Sequence, residues 1–184
     1  MIGNSIAGFL GTGVAVSASS YESIATATGT GASGTITFSS IPATFKHLQI
    51  RVNMIGSVAS SLQLNFNSDT ANNYSMHGLF GNGTSALANG SPSTSNIQSI
   101  GQYAATIITY PNLAIMDVID YASTTKYKTV RVLGGFDKNA AGGEVSLTSG
   151  SWRSTSAITS ATLSMSTGVF NTGTTIALYG IKGA

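Results

Sequence analysis

Residues 34–56 read GTITFSSIPATFKHLQIRVNMIG, and this stretch decides the fold class. In its second half Leu48, Ile50, Val52 and Met54 fall on one face, while Gln49, Arg51 and Asn53 fall on the other. Period-two alternation of this kind marks a strand half buried in an antiparallel sheet. Pro42 fixes its own φ and has no amide hydrogen for a sheet ladder, so it separates a strand at Thr35–Phe38 from one at Leu48–Ile55. The expectation is two strands joined by one turn, with Leu48–Met54 sharing a core with the alternating Leu62, Leu64 and Phe66.

The same signals recur along the chain. YESIATAT at residues 21–28 reads as a strand, and TGTGASG as a hairpin loop leading into Thr35–Phe38. NSDTANN is an Asx-rich turn, and NYSMHGLFGNG a strand with a natural bulge at Gly78. TSALANGSPSTSN reads as the longest polar loop, and an apolar run resumes over Ile97–Ile108. NLAIMDVIDY, residues 112–121, is apolar on both faces, which predicts a central strand covered on both sides. In Tyr127–Leu133, Val130 and Val132 point inward and Lys128 and Arg131 outward. Strands at Glu144–Leu147 and Ile158–Met165 flank a loop carrying Trp152, and TIALYGIK closes the chain. Nine or ten short strands with Gly, Asn and Ser turns predict an all-β fold, a two-sheet antiparallel β-sandwich of jelly-roll type over residues 21–184. No fixed short repeat supports a β-solenoid.

Residues 1–20 alternate glycines with Ile2, Ile6, Phe9, Leu10, Val14 and Val16 and hold neither period for long. They read as an extended N-terminal arm that either lies as an edge strand on its own domain or docks on another subunit. A signal peptide is not expected, because the positive leading segment is missing and Gly3, Gly8, Gly11 and Gly13 interrupt an apolar helix.

Composition narrows the class of function. Charged residues make up 8% of the 184, against roughly 25% in an average domain, while 42% are hydrophobic. That balance opposes disorder and leaves few charges to keep copies apart, which points to surface covered by partner subunits. Eight Lys and Arg against six Asp and Glu give a net charge of +2, scattered and too small for a nucleic-acid footprint. No membrane-spanning run is expected, and without cysteine neither disulfides nor thiolate metal sites can form.

The chemistry-bearing residues form no recognisable constellation. His47 and His77 are the two histidines, and no GxSxG marks any serine as a nucleophile. Asp117 and Asp120, three apart in a strand, point to opposite faces, and Asp120 is expected to meet Lys126 or Lys128. Asn67, Asp69, Asn72 and Asn73 supply one carboxylate and no closing bidentate Glu, so they read as a hydrogen-bonded turn and not a calcium loop. GTGASG and FGNG lack the strand-then-helix setting of a phosphate site. Trp152, Tyr103, Tyr110 and Tyr127 would make a sugar platform only if exposed together, whereas aromatics in strands usually pack. Catalytic, cofactor and metal residues are therefore expected to be absent.

YESIATAT, ITFSSIPATFKHLQIR, NYSMHGLFGNG, DYASTTKYKTVR and the closing ALYGIKG, in that order, resemble small β-rich virion structural proteins of tailed bacteriophages. The resemblance implies a non-enzymatic particle protein, with no catalytic residues to carry over. Of two roles compatible with it, a capsid decoration or cement subunit bound to the major capsid protein or other virion subunits is favoured. The alternative is a tail-associated fibre or adhesion module that binds a host-surface glycan. Either way the expected partners include further copies of the chain, a trimer favoured and a dimer possible. The arm residues Ile2, Ile6, Phe9, Leu10, Val14 and Val16 are the candidate assembly contacts.

Overall fold

A computed structural model describes residues 19–98, 110–138 and 142–183, and within them the backbone forms strands, turns and bends with no helix. The strands in chain order are β1 (Tyr21–Thr28), β2 (Thr35–Phe38), β3 (His47–Met54), β4 (Leu62–Phe66), β5 (Tyr74–Gly81) and β6 (Ala86–Thr94). There follow β7 (Ile97–Gln98), β8 (Asn112–Ile119), β9 (Lys128–Asp137), β10 (Gly143–Trp152), β11 (Ala161–Met165) and β12 (Thr175–Ile181). They build two antiparallel sheets, an eight-stranded one ordered β1-β12-β3-β8-β9-β10-β5-β6 and a four-stranded one ordered β2-β11-β4-β7.

The pairing is nested. β1 lies against β12, β2 against β11, β3 against β8 and β4 against β7, so the chain closes on itself like a folded ribbon, alternating between the sheets. The hairpins β5–β6 and β9–β10 are additions that widen the large sheet alone.

The alternation that opened the sequence reading is what makes the core. Leu48, Ile50, Val52 and Met54 of β3 are buried in one cluster with Leu62, Leu64 and Phe66 of β4, and with Met116, Val118, Val130, Val132 and Leu163. Two close approaches require glycine. A Cβ on Gly150 would stand 2.6 Å from Ile97 Cγ2, so β7 can lie down over β10 only there. A Cβ on Gly180 would meet the Phe45 ring at 2.2 Å, which lets the turn after Pro42 fold over β12. That turn is tied down by the Tyr121 hydroxyl, which donates to the Pro42 carbonyl and accepts from the Phe45 amide.

Several expectations are corrected. The strands on either side of TGTGASG do not form a hairpin, since β1 belongs to the large sheet and β2 to the small one, whereas the strands that Pro42 separates are distinct as expected, β2 in the small sheet and β3 in the large. Local turn signals specify a reversal of direction but not which sheet the next strand joins. The polar stretch 84–96 is largely a strand, β6, at the edge of the large sheet. An edge strand exposed along most of its length has no apolar face to betray it, and it tolerates Pro92. The irregularity in β5 falls between Tyr74 and Met76, not at Gly78. Strand β10 extends through Trp152, which is buried and not in a loop.

Candidate assembly surface

Every second residue of the large sheet points away from the small one, and on β8, β9, β10 and β5 many of these are aliphatic. In register, Ile115 of β8 stands opposite Leu133 of β9, Leu133 opposite Leu147 of β10, Leu147 opposite Leu79 of β5, and Leu79 opposite Ala88 of β6. The neighbouring row runs Leu113, Gly135, Val145, Gly81 and Ala86. The six large side chains among these are 44–60% exposed. Strands lie about 4.8 Å apart, so the first row crosses roughly 19 Å of sheet. Beside its leucines lie a groove of about 470 Å³ bordered by His77, Ala88, Gly90 and Arg131, and one of about 400 Å³ bordered by Gly81, Ala86 and Val145.

The polar side of this face is fixed by its own contacts. Asp117, Arg131, Ser149 and His77 make the next register row. Gln49 Nε2 donates to Asp117 Oδ1 at 2.8 Å, and Arg51 Nε donates to Gln49 Oε1 at 2.8 Å. The Arg51 guanidinium lies over the rings of Tyr179, at 4.8 Å, and Tyr21, at 5.4 Å. The large sheet's outer surface is thus divided between a hydrogen-bonded polar half on β1, β12 and β3 and an aliphatic half on β8, β9, β10 and β5.

The ionisable groups elsewhere are absorbed by structure. Asp120 follows β8 with φ of 50°, and its carboxylate meets Lys126 at 2.9 Å and Lys46 at 3.1 Å. Hydrogen bonds from Lys126 and then Lys46 hold its pKa at about 2. His47 Nδ1 accepts the Asp120 amide hydrogen at 3.0 Å. Asp69 accepts from the Asn73 side chain at 3.0 Å, Trp152 Nε1 at 2.8 Å and the Ala71 amide at 3.0 Å, and the Asn73 and Trp152 bonds above all lower its pKa. Asn67 joins this end by receiving the Thr159 and Ser160 amides at 2.9 and 3.1 Å. The Asn/Asp cluster is the hydrogen-bonded turn that its composition predicts. Trp152 is held between Phe66 and Tyr74, with ring centroids 5.7 and 6.3 Å away.

Two inner-face polar groups contrast with these. Lys128, expected outside, is fully buried, and its Nζ donates to the carbonyls of Ser123 and Lys126, both at 2.8 Å, and of Thr155 at 3.4 Å. Burial lowers its pKa. The alternation places it inward beside Val130 and Val132, and the carbonyls of the preceding turn at Ser123 and Lys126 and of the later Thr155, whose positions sequence does not reveal, make that burial possible. Glu144 also points inward; its Oε1 is buried without a hydrogen-bond partner among the described residues, and burial pushes its pKa up to about 7.

Of the sequence-predicted contacts, Ile2, Ile6, Phe9, Leu10, Val14 and Val16 lie outside the described residues, as does Tyr103. Trp152 is buried, so the aromatic platform does not form, although Tyr110 and Tyr127 are exposed. The expectation that β8 is covered on both sides is corrected: Ala114, Met116 and Val118 are buried, but Leu113, Ile115 and Ile119 are exposed. The aliphatic outer face was therefore missed as a surface, although its signal, apolar residues on both faces of NLAIMDVIDY, is in the sequence. No family model matches the chain, and no curated protein matches it.

Proposed function

We propose that this chain is a non-enzymatic structural protein of a tailed-phage virion, a decoration or cement subunit on the capsid surface, and that its nested sheets are a jelly roll with two added hairpins. The strand order supports the second part: without β5–β6 and β9–β10 the sheets reduce to β1-β12-β3-β8 and β2-β11-β4-β7, eight strands paired first with last. Eight-stranded double-sheet rolls of this kind recur in capsid and lectin domains. Fold alone assigns no function. The observation that carries the reading is the outer face of the large sheet, where aliphatic side chains stand exposed on a chain with 8% charged residues. Such a surface suits permanent attachment better than free diffusion. Partners would be the major capsid protein or other virion subunits together with further copies of the chain.

The alternative, a tail-associated module that binds host glycan, draws on the exposed Tyr110 and Tyr127 and on the groove beside His77 and Arg131. Quantitative mass spectrometry of purified virions, with gold-labelled antibody against the chain, tests both. Labelled heads, with a copy number on the scale of the major capsid protein, is the expected result. Label confined to the tail at low copy number would favour the adhesion module, and absence from the virion would overturn both readings.

A further inference from the structure

We infer that the aliphatic face of β8, β9, β10 and β5 is the surface on which a second copy of this chain packs. The inference deepens the decoration reading, whose partners include further copies of the chain, by naming the face on which they meet; it fails separately from that reading if the isolated chain is monomeric while virions still carry it. Three observations identify the occupant as the chain itself.

The first is shape. The row Ile115, Leu133, Leu147, Leu79 projects, while its neighbour alternates Leu113 and Val145 with Gly135 and Gly81. Projections therefore lie next to gaps on one face, and the grooves flanking Leu133 and Leu147 measure about 400 and 470 Å³. A face that carries both parts of a ridge-and-groove packing can be filled by a copy of itself, in the way two sheets of a sandwich interdigitate. Gly135 preserves its gap for a local reason, because a Cβ there would stand 2.3 Å from the Glu144 carbonyl oxygen.

The second is size. Six aliphatic side chains about half exposed amount to on the order of 500 Å² of apolar surface, the size of the largest, often functional, patch on a typical monomer (about 300–600 Å²), and with the polar row beside them they approach the ~800 Å² each partner gives to a stable interface.

The third is charge. Both aliphatic rows are free of ionisable side chains, and the bordering row sets Asp117 directly opposite Arg131. Asp117 is engaged by Gln49, whereas Arg131 forms no ion pair among the described residues. A second copy thus meets both signs of charge along this border, and a chain of net charge +2 has little long-range repulsion to overcome.

The test is light scattering coupled to size exclusion on the full chain, at several concentrations, for the wild type and for Leu133→Glu/Leu147→Glu. Both leucines are about half exposed in the isolated chain, so the double variant should keep the wild-type far-UV circular dichroism. Leu133→Ser/Leu147→Ser is the second variant, should the glutamates disturb folding. The expected result is a wild-type mass that is a multiple of 18.7 kDa and a drop to 18.7 kDa in the folded double variant. A wild type that stays at 18.7 kDa up to the highest concentration overturns the inference, and so does a folded variant with the wild-type mass. If the wild type is monomeric and deletion of residues 1–18 makes it associate, the arm covers this face and a second copy does not. If the variant keeps its mass but no longer occupies virions, the face belongs to another virion protein.

Discussion

The two faces of β8, β9 and β10 are built from nearly the same kinds of side chain and meet opposite fates. Inward, Met116, Val118, Val130 and Val132 are sealed by the small sheet; outward, Leu113, Ile115, Leu133 and Leu147 face solvent. Strand alternation therefore distinguishes two faces without saying which one the chain covers with its own residues. A polar outward face would have identified a free surface; an aliphatic one means only that some cover is needed.

The largest expected effect tests this difference directly. Ile50→Asp places a carboxylate in a site with no exposure and no partner, and should cost at least about 4 kcal/mol and prevent folding. Leu113→Asp, the same chemistry on the outer face, should change the stability of the isolated chain by no more than about 0.5 kcal/mol. Urea denaturation of the two variants makes the measurement, and similar losses in both would erase the distinction between the faces.

Lys128 sharpens the comparison from within, because it shows on what terms the inner face accepts charge. Lys128→Met keeps the aliphatic stem but deprives the Ser123, Lys126 and Thr155 carbonyls of a shared donor. Leaving buried acceptors unpaired costs about 1–3 kcal/mol, partly offset because an ammonium no longer needs to be desolvated. A lowered denaturation midpoint with an unchanged m value is the expected outcome. A more stable variant would mean that the carbonyl cage compensates the buried charge poorly.

Alternation of apolar and polar residues made β2, β3 and β4 legible to within a residue or two, and flanking turn signals bounded β1 and β12. It failed where a strand had no such contrast. Polar β6 looked like a loop because the edge of a sheet asks for no apolar face, and β8 looked buried on both sides because exposed aliphatics cannot be told from covered ones. The nested pairing could not be read at all, since β1 and β12 meet across nearly the whole chain and register is set by contacts, not by local pattern. Of the candidate assembly surfaces, the arm residues Ile2 to Val16 were singled out from composition and lie outside the described residues, whereas the sheet face emerges only when four strands are laid side by side.

On the inner face Glu144 has a buried Oε1 without a hydrogen-bond partner among the described residues, and its pKa of about 7 makes it a probe of that deficit. The fold favours the neutral carboxyl, since the folded value lies above the ordinary 4.5. The stability it contributes is fully present below pH 4.5 and is lost as pH rises through 7. Glu144→Gln stays neutral throughout, so at pH 8 it should be more stable than the wild type by about 1–2 kcal/mol after discounting for solvent screening, and equal to it near pH 4. Thermal melts across pH 4–8 decide the matter, and parallel curves for the two proteins would mean that the carboxyl is not confined.

The smallest effect belongs to Asp120, which sits at the end of β8 on neither face and has the opposite electrostatic setting. Lys126 and Lys46 hold its carboxyl at about 2, below the ordinary 3.8, so the fold favours the charged form. Its contribution is present above pH 3.8 and fades as pH falls through 2, the reverse of the Glu144 window. Because both lysines are largely exposed, the pair is screened by salt and the contribution is small. Asp120→Asn should therefore leave the melting temperature at pH 7 nearly unchanged in high salt and lower it slightly in low salt, with the difference between variant and wild type shrinking as pH falls through 2. The His47 Nδ1 bond to the Asp120 amide survives this substitution, so a large loss at neutral pH and high salt could not come from that contact. Such a loss would show that the charge at this strand end holds the turn as firmly as the core holds the inner face.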